Sequence, residues 1–323
     1  MDKLEIKRDR SRMNQVGVTL LVYYMMMNFV AICMMLVDMI VYLCGLLVRS
    51  EPLQLDVMMQ YVTDRLLVNG WPYILSILIG GLIVLAWKGK TFWREEMFEK
   101  NKPMTGPIFF QLLCVFLSAQ LFTQIFSVGL EALLNLIGYS ATAALEMATT
   151  TGGSFSMYLY ACILGPISEE LLFRGLVLRG LKPCGKQTAI LVSALVFGLF
   201  HGNIIQIPFA FAVGLVLAYV TLEYSIIWAI VLHIINNLVM ADLLNRLVTL
   251  LPETAGLVLA NGIFLLAGIG AVVVLIRKRR QAADYLRQNK PDRVSMKALV
   301  TSPVMWIFTV LMLAMSLLTI TPL

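Results

Sequence analysis

Glu169 and Glu170 stand side by side in Pro166-Ile-Ser-Glu-Glu-Leu-Leu-Phe-Arg174-Gly175, inside a run that is otherwise apolar. On a helix Glu170 and Arg174, four apart, share a face, while Glu169 is rotated about 100° from its neighbour. One carboxylate can therefore pair with the guanidinium while the other faces a cavity. The chain has two histidines, His201 and His233, and both also lie in apolar runs. His233 and Asn237 are again four apart and project from one helix face. A carboxylate in a low-dielectric cavity is a stronger base than in water, and a neutral imidazole beside it can help to polarise a bound water. A second imidazole and a carboxamide can donate hydrogen bonds to the oxyanion that forms when that water attacks a peptide carbonyl. No serine or cysteine stands in an evident pairing with histidine, which favours water-mediated hydrolysis over nucleophilic catalysis.

The elements that must position these groups are membrane helices. Of 323 residues 59% are hydrophobic and 14% charged, the mean hydropathy is +0.84, and several apolar runs are long enough to cross a hydrocarbon core. The reading is an all-α, polytopic membrane protein of about eight or nine transmembrane helices, a single membrane domain over 1–323 with a catalytic core of four helices at 150–245. Nine spans are expected near 17–48, 71–87, 107–137, 154–180, 187–203, 205–222, 225–245, 256–276 and 302–320. The interval 49–70 reads as a mildly acidic outer loop, and 139–153 as a second outer loop rich in Thr, Ala and Gly. At 1.5 Å per helical residue, Glu169 and Glu170 lie roughly 18–20 Å from the basic end of their span, His201 about 22 Å, and His233 and Asn237 about 15 and 21 Å. All five polar groups share one layer. A charge near a bilayer centre costs about 2.5–3.5 kcal/mol even on the lenient insertion scale, so three within six residues point to a site.

Net charge of +6 does not indicate nucleic acid. Apart from Arg49, Arg65, Arg174 and Arg246, the lysines and arginines stand in four clusters beside apolar runs: Lys3 to Arg12, Lys88 to Lys102 including Lys90 and Arg94, Arg179 to Lys186, and Arg277 to Lys297. Threading nine spans puts all four clusters on one face, read as cytoplasmic together with the N-terminus of a multi-pass cell-membrane protein. The first span is too long for a signal-peptide core. The five cysteines lie in spans or in a basic loop, which argues against a disulfide framework.

Glu169-Glu170-Leu-Leu-Phe-Arg174, Phe197-Gly-Leu-Phe-His201 and His233-Ile-Ile-Asn-Asn237 stand in this order on successive spans. In these motifs the chain resembles the CAAX prenyl protease and bacteriocin-processing family, the CPBP or Abi intramembrane proteases. The resemblance implies a peptidase with its site inside the membrane. Glu169 and His201 would activate water, His233 and Asn237 would stabilise the oxyanion, and Glu170 and Arg174 would position the first carboxylate. It also implies a peptide or membrane-protein substrate met within membrane lipid, with a partner membrane protein as a further option. Eukaryotic members trim prenylated tripeptides, whereas bacterial members are associated with peptide maturation, self-immunity or membrane-protein regulation; this compact, loop-poor chain reads as bacterial. Glu169, His201 and His233 are also a conceivable zinc set. The metal-free reading, with no cofactor, is preferred.

Two other classes compete. Buried ion pairs and amides also fix helix packing, and a CPBP-type scaffold without proteolytic activity would regulate a partner membrane protein. Asp38 in the first span and Glu131 in the third suit a proton-coupled transporter, but that architecture calls for inverted repeats, and none is visible. Asp38 is expected to be paired in the bundle or snorkelling.

Overall fold

The computed structural model describes residues 2–92, 96–149 and 153–323. Arg94 and residues 150–152 lie outside the described residues, as do the side chains of Lys88 and Lys90. The chain is helical almost throughout: α1 (Asp2–Arg49), α2 (Leu55–Val68), α3 (Trp71–Thr91), α4 (Gly106–Asn135), α5 (Thr142–Thr149), α6 (155–181), α7 (Lys186–Phe200), α8 (Gln206–Glu223), α9 (Ile226–Thr249), α10 (Glu253–Gln288), α11 (Arg293–Val300) and α12 (Pro303–Leu317). The one departure from all-α among the described residues is a two-residue ribbon. In it β1 (Tyr139–Ser140) pairs antiparallel with β2 (Thr321–Pro322) and ties the end of α4 to the end of the chain.

Among the described residues five helices are long and apolar enough to cross a membrane, α1, α4, α8, α9 and α10, and seven spans result if the bent pairs α2–α3 and α11–α12 each count once. The remaining two of the nine expected runs are α6, which carries both glutamates and Arg174, and α7, which has only 15 residues. Polarity and shortness set these two apart because they belong to the site. Much of the apolar surface of α1, including Met25, Phe29, Ile32, Leu36 and Ile40, is uncovered by protein, as expected of a lipid-facing helix.

The interval 49–70 is not the loop expected from its acidic charge. Met58 and Val62, one turn apart, bury against the bundle and hold α2 together as a helix bent by 63° from α3. Between them Gly70 meets α6. Its N–H donates to Ser156 Oγ at 3.0 Å, and a Cβ there would lie 2.2 Å from the Ser156 backbone. Gly70→Ala is expected to destabilise by at least about 1–3 kcal/mol, the cost of overpacking. A melting curve in detergent checks this against Gly81→Ala, where a Cβ meets nothing within 4 Å.

Described residues of the four basic stretches are tied to one another. Glu223 accepts from Lys102 at 2.6 Å, Lys186 at 3.0 Å and the Tyr285 hydroxyl at 3.1 Å. Glu99 accepts from Arg179 at 2.8 Å and Lys182 at 3.1 Å, and the Lys182 hydrogen bond first, then Arg179, hold its carboxyl below the ordinary range. Ser295 donates to the Cys184 carbonyl at 2.7 Å and to Asp9 at 3.2 Å, which docks α11 against α1 and the α6–α7 turn. These ties join the family-like core to the first and last helices. All five cysteines are free.

The core gathers on α6, α7, α8 and α9, with α1 and α12 closing it through Leu20, Tyr23, Phe308 and Met312. Small residues let α7 and α8 approach. A Cβ at Gly198 would sit 2.8 Å from the Ile207 carbonyl oxygen, and one at Gly214 would sit 3.1 Å from Ala194 Cα. Ser193 Oγ donates to the Phe173 carbonyl at 2.9 Å and joins α7 to α6 beside the arginine of the first motif.

Candidate active site

Helix α6 starts at Ser154, whose hydroxyl accepts the Met157 N–H. It then widens twice, into π-helix at Tyr160–Leu164 and again at Leu171–Leu178, on either side of the two glutamates. Pro166 bears on the first widening: it has no N–H and its ring would press on the carbonyl four residues back. In the wide turn the Gly165 N–H reaches past Ala161 to the Tyr160 carbonyl. The Ala161 carbonyl thus loses its α-helical donor, and its π-helical donor would be Pro166, which has none. That orphaned acceptor is filled from α9, where Asn237 Nδ2 donates to it at 2.9 Å. Asn237 itself lies in a third π segment, Ile235–Leu243, immediately after His233. Such wide turns occur preferentially at functional sites.

Glu170 and Arg174 are both fully buried, and Arg174 Nε lies 3.2 Å from Glu170 Oε2. The contact is an ion pair without hydrogen-bond alignment, since both atoms lack a hydrogen-bond partner. The guanidinium lies over the Phe197 ring, 4.2 Å from its centroid, and Nη2 reaches the Gly214 carbonyl at 3.4 Å. Arg174 therefore joins α6, α7 and α8 around one charge. The other oxygen of Glu170 faces His233 Nδ1 at 2.9 Å, while Nε2 of the same ring lies 3.7 Å from Glu169 Oε2. His233 bridges the two carboxylates. Glu169 keeps about a third of its side chain exposed, 32% against 0% for Glu170.

His201 closes α7, with Gly202 beyond it at φ +55. Its Nδ1 faces the Phe197 carbonyl at 2.8 Å, and its ring meets the Phe197 ring edge-on at 5.0 Å. Phe197 also meets His233 edge-on, at 5.8 Å. The structure thus brings Glu169, Glu170, Arg174 and His233 into direct contact, and gathers Arg174 and both histidines around Phe197. The hydrogen bond of His201 goes to a backbone carbonyl, not to a glutamate. A carbonyl only accepts, so Nδ1 carries a proton, and it is Nε2 that bears the lone pair in the ring's neutral form. Glu170, which when ionised also only accepts, keeps a proton on Nδ1 of His233.

A crevice of about 20 Å³, the room of one water, opens beside Glu169 between Tyr23, Met27, Ile77, Tyr160, Ser168 and Phe200. Tyr23 comes from α1, where no motif marks it, and the space for its ring is made by Gly80 of α3, whose Cβ would sit 2.7 Å from Tyr23 Cε2. A wider cavity of about 360 Å³, lined by Tyr158, Asp242 and Arg246 among others, contains none of the motif residues. Among the described residues no three His, Cys, Asp or Glu side chains are gathered to hold a metal ion. Glu169, His201 and His233 as arranged do not fit the zinc set that their residue types allow.

Residues 151–239 match a family model described as type II CAAX prenyl endopeptidase Rce1-like. The chain carries an Rce1-like domain. That segment contains all three motifs and is consistent with the CPBP family, a family of CAAX-type intramembrane proteases. Neither the comparison with curated proteins nor that with solved structures finds a match. The Rce1-like domain begins just before α6 and ends within the third π segment, so α1, α3 and α4, which also border the site, lie outside it.

The two acids that suited a transporter are spent elsewhere. Asp38 accepts from Arg65 Nε at 2.9 Å and ties α1 to α2. Glu131 accepts from the Ser140 hydroxyl at 2.8 Å and the Ala141 N–H at 2.7 Å, which fastens the ribbon to α4.

Proposed function

We propose that the chain is an intramembrane endopeptidase that cleaves a membrane-associated peptide or protein with water activated by Glu169. The observation that carries this reading is the His233 bridge, which ties a buried, arginine-paired carboxylate to an accessible one at the edge of a one-water crevice. Glu169 takes a proton from the water as its oxygen bonds to the scissile carbonyl carbon. His201 Nε2 accepts the water's other hydrogen and orients it. The oxyanion is held by the Asn237 N–H not used on Ala161 and by His233 Nε2, which donates when both ring nitrogens carry protons. The C–N bond then breaks and Glu169 returns its proton to the leaving amine. Glu170 and Arg174 do not touch the reacting atoms; they fix His233.

The substrate reaches the crevice from the lipid, and the basic end of the bundle, with the N-terminus, faces the cytoplasm. The test is mass spectrometry of new protein termini in cells expressing the chain or its Glu169→Gln form at equal level. A set of termini present only with Glu169 is expected. Identical profiles, with any cellular phenotype still rescued by the mutant, would replace the enzyme by a scaffold that regulates a partner. Asp38→Asn, whose side chain ties α1 to α2 away from the crevice, is expected to yield the wild-type termini at near-wild-type amounts.

A further inference from the structure

Asn237 can donate to an oxyanion only if its amide is the right way round, and an Asn side chain turned by 180° about its last bond offers an acceptor instead. Three side chains decide this. Gln120 Nε2 on α4 donates to Asn236 Oδ1 at 3.1 Å, Asn236 Nδ2 donates to Asn237 Oδ1 at 2.9 Å, and Asn237 Nδ2 donates to the Ala161 carbonyl at 2.9 Å. The direction of the chain is set at its far end, because a carbonyl only accepts and this one has been freed by the π turn before Pro166. Every amide then points the same way, from Gln120 to Ala161.

We propose that Gln120 and Asn236 are positioning residues that lock the Asn237 amide with its nitrogen toward the reaction centre. The proposal deepens the peptidase reading and rests on it for its effect on cleavage, but not for the relay itself. It assigns a part in the site to α4, which lies outside the Rce1-like segment, and it gives Asn236 a task distinct from that of Asn237. Asn237 alone has one anchor, at Ala161. The two further amides oppose its rotation, and they do so across helices, so α4 must stay in register with α9 for the donor to be in place.

Gln120→Glu and Gln120→Met separate this role from simple packing. An ionised glutamate only accepts, so Asn236 must turn its nitrogen to it and its oxygen to Asn237, which in turn must bring its own oxygen against the Ala161 carbonyl. Methionine removes the anchor without reversing the chain. Each variant is expressed at equal level, and termini that depend on Glu169 are counted. Gln120→Glu is expected to reduce them about 100-fold, as for loss of an oxyanion donor, and Gln120→Met by distinctly less. In detergent, the Asn237 side-chain NH₂ resonance of ¹⁵N-asparagine-labelled protein, assigned by its loss in Asn237→Ala, is expected to shift in Gln120→Glu, at a melting temperature similar to that of Gln120→Met. An unmoved resonance overturns the relay, as does equal loss of termini in both variants in step with equal loss of melting temperature. If Glu169→Gln removes no termini, the peptidase reading fails and the resonance alone judges the relay.

Discussion

Glu169→Gln is expected to slow cleavage by about 100- to 10,000-fold, the contribution of a positioned general base, with little change in melting temperature. Its neighbour is expected to behave differently. Glu170→Gln, one residue away, should lower stability as well as rate, because it leaves the fully buried Arg174 without its counter-ion. The contrast follows from exposure: Glu169 is 32% exposed at the edge of the crevice, and its contact with His233 is 3.7 Å long, so a neutral amide replaces it at small structural cost. His201→Ala is expected to match Glu169→Gln in rate, and His233→Ala to lose about 100- to 1000-fold. The measurement is cleavage of the substrate defined by Glu169-dependent termini, alongside melting curves for each variant. An equal loss of rate in Asp38→Asn would sink the assignment of roles, since Asp38 is engaged with Arg65 between α1 and α2.

The convergence of both histidines on the carboxylate layer was legible in the sequence because helical rise is constant, so distance from a charged loop converts into depth. The Glu170–Arg174 pair was legible because four residues make one turn. The part played by His233 was not. The sequence offered it as an oxyanion donor on a separate helix, and the structure adds that its two nitrogens face the two glutamates. No spacing within a motif reports a contact between residues 63 positions apart. The π segments escaped for a related reason: hydrophobic periodicity over so few residues does not distinguish a π turn from an α turn. Pro166 was the one local signal of the first of them. Gln120 stood among several glutamines of its span with nothing to single it out, and α2 escaped because its 14 residues are too few to cross a membrane alone and carry Asp56, Asp64 and Arg65, which made the interval read as a loop. What the sequence leaves out is the pairing between helices, and the site is built from that pairing.

Arg174 is where fold and chemistry are most tightly joined, and Arg174→Met is expected to be the most destabilising single change in the core. Removing one partner of a buried ion pair typically costs about 3–5 kcal/mol, because the remaining charge is left without compensation. Here it would also strip the cation from the Phe197 ring, which touches both histidines. The double variant Glu170→Gln with Arg174→Met removes both charges and is expected to recover most of that stability, since two uncharged side chains no longer need each other. Thermal unfolding of the four proteins forms a double-mutant cycle, and a coupling near zero would refute the pairing. Cleavage should not recover with the fold. The amide oxygen introduced by Glu170→Gln can still accept the Nδ1 proton of His233 and hold the same tautomer, but it no longer supplies the negative charge that supports a second proton on the ring. A double variant that is stable and inactive would mean that the buried carboxylate acts through its charge on His233. One that is stable and fully active would reduce Glu170 and Arg174 to a packing device and leave Glu169 to work alone.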